Sequence, residues 1–277
     1  MREIERLKEQ ILKEYPRLTE ESTFNFACHK NVPCFNACCA DVNIFLTPYD
    51  IIRLKKGLGL SSTEILKKYT IAPFDKNLKY PVILLKMNDD EKKSCPFVTE
   101  AGCSVYENRP WACRMYPIGL ASPGEKSGEL DREFYFLLKE DICQGFRENR
   151  KYSVREWLQD QGINEYNEMG RYFKDITTHE FFQKEGNLSP QKMEMFFIAS
   201  YDVDRFRRFI FESSFLDKFN LDQELQERIK ADDVELMKFS MNWLRFAMFG
   251  EKSVDVKDDV LKSKKKELAE KAAREKK

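Results

Sequence analysis

Cysteine is the residue type whose number and spacing in this sequence point most clearly to chemistry. The chain of 277 residues has eight, at Cys28, Cys34, Cys38, Cys39, Cys95, Cys103, Cys113 and Cys143. Seven of them lie within residues 28–113, although random usage would scatter them. The amino-terminal residues are charged and show no apolar export signal, so we expect a cytoplasmic protein whose thiols stay reduced. Clustered cysteines in a reduced compartment favour metal ligation by thiolates over disulfide bonds.

Eight thiolates are enough for two four-cysteine sites, and a single site is the alternative. The neighbours Cys38 and Cys39 cannot easily face one tetrahedral ion, because successive side chains diverge along an extended backbone. They therefore serve two sites, or one of them is buried and unligated. In either case loops that are far apart in sequence must meet. We expect convergence of Cys34, Cys38 or Cys39, Cys95, Cys103 and Cys113.

The spacing of the cysteines also bears on which metal is bound. Zinc sites usually bring ligands in pairs separated by two to four residues, and this sequence has no C-x2-C pair, while Cys34 and Cys38 form a longer one. Iron–sulfur clusters tolerate wider loops, so the spacing favours a 4Fe–4S cluster, with zinc as the alternative. Arg109 and Arg114 flank Cys113 and would offset the negative charge of a thiolate centre. They are the candidate cofactor-binding residues, and the alternative is that they are ordinary surface arginines.

The elements that must position these ligands are mixed, which predicts an α+β fold. Apolar spacing predicts an amphipathic helix over Ile4–Leu12, and Thr47 is expected to cap a helix that begins at the following proline. Strands are expected over Tyr80–Met87 and Leu130–Leu138. We therefore predict a cysteine-rich metal-binding domain at residues 1–150. We expect its short elements and long loops to need a bound metal for stability.

After residue 150 the pattern changes to apolar residues that recur every three or four positions. Ser189 and the proline after it predict the start of one helix, and Gly250 predicts the end of the last. We expect an all-helical domain at residues 151–250, followed by a charged tail at 251–277.

Composition excludes several classes of protein. The chain has 47 Lys plus Arg residues and 47 Asp plus Glu residues. The charges therefore balance, and no excess of positive charge indicates nucleic-acid binding. No stretch approaches about 18 apolar residues, so no membrane partner is expected. With only two histidines, a site built on several histidines is excluded.

Two segments resemble the YkgJ-type cysteine-cluster family, namely CFNACCADVNIFLTPYDIIRL and CPFVTEAGCSVYENRPWACRMYP. Its domain is described as zinc- or iron-chelating and has a CxxCxxCC signature, and the resemblance covers roughly residues 25–150. This chain departs from the signature, because its first cysteines are separated by five and three residues. His29 is therefore an alternative to Cys28 as a ligand. The resemblance implies metal binding through the cysteines.

That family also resembles the flagellin lysine N-methylase FliB, which has a related cysteine pattern and is linked to an iron–sulfur cluster. This kinship implies one alternative function: cluster-dependent methyl transfer from S-adenosylmethionine to a protein substrate. Metal storage or delivery, or a purely structural zinc, are the non-enzymatic alternatives. The sequence assigns no catalytic residue, so it leaves open whether the chain is an enzyme.

Overall fold

The structure is a computed structural model that describes residues 15–73, 78–121, 133–184, 186–263 and 266. These residues divide into two compact units. The first unit holds the described residues up to Gly59, with Lys67–Leu78 and Val82–Gly170, and the second holds Leu60–Leu66, Lys79–Pro81 and those from Arg171 onward. The chain is α+β, with small sheets and a helical carboxy-terminal region, as predicted.

The strands are short and pair in an antiparallel manner. They are β1 Thr23–Asn25, β2 Phe45–Leu46, β3 Thr70–Ile71, β4 Ile83–Leu85, β5 Val98–Thr99, β6 Gly102–Cys103, β7 Ile118–Ala121, β8 Phe134–Leu137 and β9 Lys151–Ser153. β1 pairs with β9, β4 lies between β2 and β3, β5 pairs with β6, and β7 pairs with β8. Sheets of two or three short strands are marginal by themselves, so their stability depends on the surrounding core and loops.

The helices are longer and follow local sequence signals. They are α1 Pro48–Leu58, α2 Ser62–Tyr69, α3 Trp111–Met115, α4 Val154–Asp160, α5 Ile163–Thr177, α6 Glu180–Gln183, α7 Pro190–Tyr201, α8 Val203–Glu212, α9 Phe215–Lys218, α10 Gln223–Ala231 and α11 Asp233–Phe249. Thr47 caps α1 in a reciprocal capping box with Asp50, and Ser153 caps α4 in the same way. The predicted start of α1 is therefore confirmed.

An aromatic core organises the first unit. Phe26, at the end of the β1 segment, packs edge-on against Trp157 of α4, with ring centroids 5.4 Å apart. The Trp157 indole also donates a hydrogen bond to the carbonyl of Met115 in α3, at 3.2 Å. Tyr152 of β9 pairs with Phe24 of β1. This core fixes the chain immediately before Cys28, where the first cysteine loop begins.

The second unit has its own aromatic core. Tyr80 stacks on Phe196 of α7 at 5.9 Å, and Phe206 of α8 lies 5.4 Å from the indole of Trp243 in α11. Ser189 caps α7, and Gly250 ends α11 with a left-handed backbone. Both predicted helix ends are confirmed.

Two predicted strands are shorter than expected. The Tyr80–Met87 segment pairs only at β4, because Tyr80 packs in the second unit's core and Pro81 has no amide hydrogen to donate. The Leu130–Leu138 segment forms β8, and its first three positions lie outside the described residues. The predicted helix Ile4–Leu12 and most of the charged tail also lie outside them.

Within the part of the chain that the structure describes, no helix combines the length and apolar character needed to cross a bilayer.

Candidate metal centre

The first cysteine loop, residues 28–39, folds back on itself in tight turns. The amide of Ala37 donates to the carbonyl of Cys34 at 2.9 Å, and the amide of Cys39 donates to the carbonyl of Asn36 at 3.0 Å. Asn36 has a φ of 66°, a left-handed conformation that asparagine tolerates better than most residues. The turns hold the cysteines of this loop close together.

The second cysteine-bearing segment is tied to the first through its backbone. The amide of Cys95 donates to the carbonyl of Cys39 at 2.8 Å. The side-chain amide of Asn36 donates to the carbonyl of Thr99 in β5 at 2.9 Å. The β5–β6 hairpin, which carries Cys103, is therefore anchored beside the first loop.

The third segment closes on the same loop from another side. The amide of Gln144 donates to the sulfur of Cys34 at 3.1 Å, and the amide of Ala27 donates to the carbonyl of Gly145 at 3.1 Å. A Cβ at Gly145 would lie 2.7 Å from both the Ala27 carbonyl oxygen and the Phe26 ring. The close approach of these two backbones therefore requires glycine.

Four cysteines share a cavity of about 30 Å³. We call them the cavity group: Cys28, Cys34, Cys38 and Cys143. The cavity wall is otherwise apolar or aromatic and includes Phe26, Val32 and Tyr116. The thiol of Cys28 interacts electrostatically with the other three thiols of the group. The structure thus brings together cysteines separated by more than one hundred positions.

Tyr116 places a polar atom in the same wall. Its hydroxyl is buried and has no hydrogen-bond partner of normal geometry among the described residues. Burial raises the pKa of Tyr116, and interaction with the Cys143 thiol raises it further, so the hydroxyl stays a neutral donor. Buried hydroxyls are usually satisfied, and a thiolate on a bound metal would give this one an acceptor. The sequence pattern did not single Tyr116 out, although it follows closely after Cys113.

The remaining four cysteines lie around the β5–β6 hairpin. We call them the hairpin group: Cys39, Cys95, Cys103 and Cys113. The thiol of Cys39 interacts electrostatically with those of Cys95 and Cys113. The thiol of Cys113 in turn interacts with those of Cys95 and Cys103. Every predicted metal ligand therefore has other cysteines as neighbours.

Asp50 of α1 positions the helix that carries Cys113. Its carboxylate is fully buried and accepts hydrogen bonds from the amide of Trp111 in α3 and the amide of Thr47, both at 2.7 Å. Burial raises the pKa of Asp50 to about 6, against the opposing effect of these hydrogen bonds. The sequence assigned Asp50 no role at the site, because no local pattern predicts its hydrogen bond with the distant Trp111.

Cys38 and Cys39 connect the two groups. Interaction between these neighbouring thiols lowers the pKa of Cys38 and raises the pKa of Cys39. Cys38 lies in the cavity wall, whereas Cys39 has Cys95 and Cys113 as further neighbours.

Most of the thiols are held in the neutral form while no cation is bound. Burial and neighbouring thiols raise the pKa of Cys28 to about 11 and that of Cys113 to about 12. Both residues are exposed at the surface, so the burial that raises these two pKa values comes from protein packed around the thiols rather than from full exclusion of solvent. Thiolate ligands must lose their protons, so metal binding at these positions would release protons.

The two candidate arginines are buried, with 7% of each exposed. Arg114 donates to the backbone carbonyls of Arg109, Glu107 and Gln161, at 3.2, 2.5 and 2.6 Å. It therefore ties the loop before α3 to the end of α4. Arg109 donates to the Tyr106 carbonyl and the Gln161 side chain, and its charge interacts with the thiols of Cys113, Cys103 and Cys28.

His29, the alternative ligand, faces other partners. Its Nε2 lies 3.3 Å from a carboxylate oxygen of Glu148, and its Nδ1 accepts from the amide of Asn31 at 3.3 Å. The cavity wall includes Cys28 rather than His29.

Among the described residues, no three His, Cys, Asp or Glu side chains are already placed to bind one common ion. Ligation therefore requires thiols within a group to turn toward a shared point. The donor set nevertheless suits zinc or iron, since it consists of grouped thiols with an unpaired buried hydroxyl and a buried cation beside them.

No curated protein and no solved structure matches this chain. A family model matches residues 27–156, a range that contains all eight cysteines. The description of that family reads "Putative zinc- or iron-chelating domain". Over residues 27–156, this chain matches the model of the CxxCxxCC family.

Proposed function

We propose that this protein binds zinc or an iron–sulfur cluster through the thiolates of its eight cysteines. One observation carries the proposal: three segments far apart in sequence meet through their cysteines. Gln144 donates to the sulfur of Cys34, and the backbones of Cys39 and Cys95 are hydrogen-bonded. The family match over the same residues supports it.

Of the two centres, we favour the iron–sulfur cluster. The ligands come from widely spaced positions, which the inorganic core of a cluster tolerates better than a zinc knuckle does. A cluster would supply one-electron transfer, whereas a zinc ion held by four thiolates would join the loops. In either case Arg109 offsets part of a net charge of about −2 on a four-thiolate centre.

Methyl transfer is a narrower proposal, and it rests on the resemblance to FliB alone. We assign no described residue to S-adenosylmethionine or to a protein substrate. Cytoplasmic location is also a proposal, and it rests on the free cysteines, which suit a reducing compartment.

The test is the metal content of protein purified without oxygen. We expect iron with acid-labile sulfide and a brown colour, or, in the zinc case, colourless protein with stoichiometric zinc. Cys113→Ser should lower the metal content, while Lys30→Ala, an exposed change in the first loop, should leave it unchanged. Full-length folded protein that holds neither metal and takes up neither on reconstitution would overturn the proposal.

A further inference from the structure

The eight cysteines form two sets of four, which meet at the neighbouring thiols of Cys38 and Cys39. Cys28, Cys34, Cys38 and Cys143 line one cavity. The other four, Cys39, Cys95, Cys103 and Cys113, are linked around the hairpin by the backbone bond from Cys95 to Cys39 and by interactions among their thiols. Four thiolates are the complete ligand set of a structural zinc and of a 4Fe–4S cluster.

We infer that this chain holds two separate four-thiolate sites, one in the cavity group and one in the hairpin group. This inference rests on the proposed function. It resolves the choice between one site and two that the sequence leaves open. The boundary between the sites falls between the adjacent residues Cys38 and Cys39.

Backbone hydrogen bonds explain why the adjacent residues Cys38 and Cys39 belong to different groups. The amide of Cys39 closes a turn on the carbonyl of Asn36, and its own carbonyl accepts from Cys95. Cys39 is therefore attached to the hairpin side. Cys38 instead lies in the wall that also contains Cys34, whose sulfur accepts from Gln144. Each neighbour is thus held by a different part of the chain.

The two sites have different surroundings. The guanidinium of Arg109 interacts electrostatically with two thiols of the hairpin group, Cys113 and Cys103, and with Cys28 of the cavity group. The cavity group has a largely apolar wall and the buried hydroxyl of Tyr116. An offsetting charge stabilises a thiolate centre, so we expect the hairpin site to retain its metal longer under a chelator.

The test is an anaerobic titration of the metal-free, full-length protein with Co²⁺, followed by the absorption of cobalt–thiolate charge transfer. Wild-type protein should bind two equivalents. Cys34→Ser or Cys143→Ser should each bind one, and Cys95→Ser or Cys103→Ser should also each bind one. Lys30→Ala should bind two, as wild-type protein does.

Combining Cys34→Ser with Cys103→Ser should abolish binding. One equivalent in the wild type, or loss of all cobalt from a folded single variant, would mean one shared site and overturn the inference. If the wild type binds no cobalt at all, the proposed function fails as well, so the two failures are distinguishable.

A second measurement needs no variant. Cobalt-loaded wild-type protein is treated with iodoacetamide, and the protected cysteines are identified by mass spectrometry. Two sites predict that all eight cysteines are protected. Protection of only four, with the others alkylated, would contradict the division.

Discussion

At the scale of single residues, Tyr116 places a buried hydroxyl beside the Cys143 thiol, with no hydrogen bond of normal geometry among the described residues. An unsatisfied buried donor costs about 1–3 kcal/mol. The protein retains this group beside Cys143, where a hydrogen bond to a metal-bound thiolate would satisfy it. The same hydroxyl is therefore expected to be unfavourable in the metal-free protein and favourable in the metal-bound protein.

Tyr116→Phe separates these two effects, because it keeps the ring that lies 6.0 Å from Phe26. In metal-free protein we expect the free energy of unfolding to stay the same or rise by about 1 kcal/mol. In metal-loaded protein we expect faster metal release to a chelator. Urea unfolding and chelator competition measure the two effects. A clear loss of stability in the metal-free variant would show that the hydroxyl is already hydrogen-bonded there.

Asp50 gives a residue-scale prediction about pH. Burial raises its pKa to about 6, so between about pH 4 and 6 the folded protein binds a proton that the unfolded chain does not. Its contribution to stability therefore falls as pH rises through this window, by on the order of 3 kcal/mol at most. Asp50→Asn removes the titration and one of the acceptors for Trp111 and Thr47.

The measurement is the free energy of unfolding of both proteins at several pH values. We expect the difference, wild type minus Asp50→Asn, to shrink from pH 4 to 6 and then to level off. A difference that grows with pH over this range would mean that the folded protein lowers the pKa of this carboxyl.

At the scale of elements, the position of the third cysteine segment depends on Gly145. An added Cβ would lie 2.7 Å from a backbone oxygen of Ala27, and backbone yields little. Gly145→Ala should therefore destabilise the protein by about 1–3 kcal/mol, the usual range for overpacking. It should also reduce metal binding by the cavity group, since Gln144 next to it contacts the sulfur of Cys34.

Gly170→Ala is the matched control. Gly170 lies in α5, and an added Cβ there meets no atom within 4 Å. This change should raise the free energy of unfolding by roughly 0.5–1 kcal/mol, because alanine favours helix, and should leave metal binding unchanged. Thermal unfolding and cobalt titration of both variants test the pair. Equal metal binding by the two would show that Gly145 does not position the ligands.

Elements that depend on adjacent residues were predictable from the sequence. The capping box of Thr47 and Asp50 and the left-handed end at Gly250 are set within one helical turn. The pairing of β1 with β9 was not predictable, because it joins strands more than one hundred residues apart. The pattern likewise could not show that β4 would be only three residues long, since the packing of Tyr80 decides that.

The site was predictable in its chemistry and not in its arrangement. All eight cysteines could be named as candidate ligands from the sequence, seven of them by their clustering, whereas their division depends on which loops meet. The roles of Tyr116 and Asp50 could not be predicted, because a single tyrosine or aspartate near a motif has no spacing pattern that indicates a role. The metal-binding domain at residues 1–150 stays a prediction. β9 and α4, which complete the core around Phe26, come after that boundary.

At the scale of the whole molecule, the two units differ in the interactions that can stabilise each of them. The described part of the first unit has small sheets and cysteine-bearing loops, and such loops bury little apolar surface to offset their ordering entropy. The second unit is helical, with an aromatic core around Phe196 and Trp243. Metal binding to the folded state alone adds on the order of 10 kcal/mol in structural zinc sites.

Removing the metal should therefore loosen the first unit and leave the helices of the second largely protected. Hydrogen exchange of full-length protein, before and after chelation, measures this by segment. We expect faster exchange at residues 28–39 and around Cys95 and Cys103, with little change in α7 and α11. Cys113→Ser should produce a smaller loss of the same kind, confined to the hairpin side if there are two sites. Unchanged protection around Cys34–Cys39 in the metal-free protein would mean that these thiols do not support the fold. The cysteines would then serve redox chemistry or transient metal delivery, because neither of those roles requires the loops to depend on a bound metal.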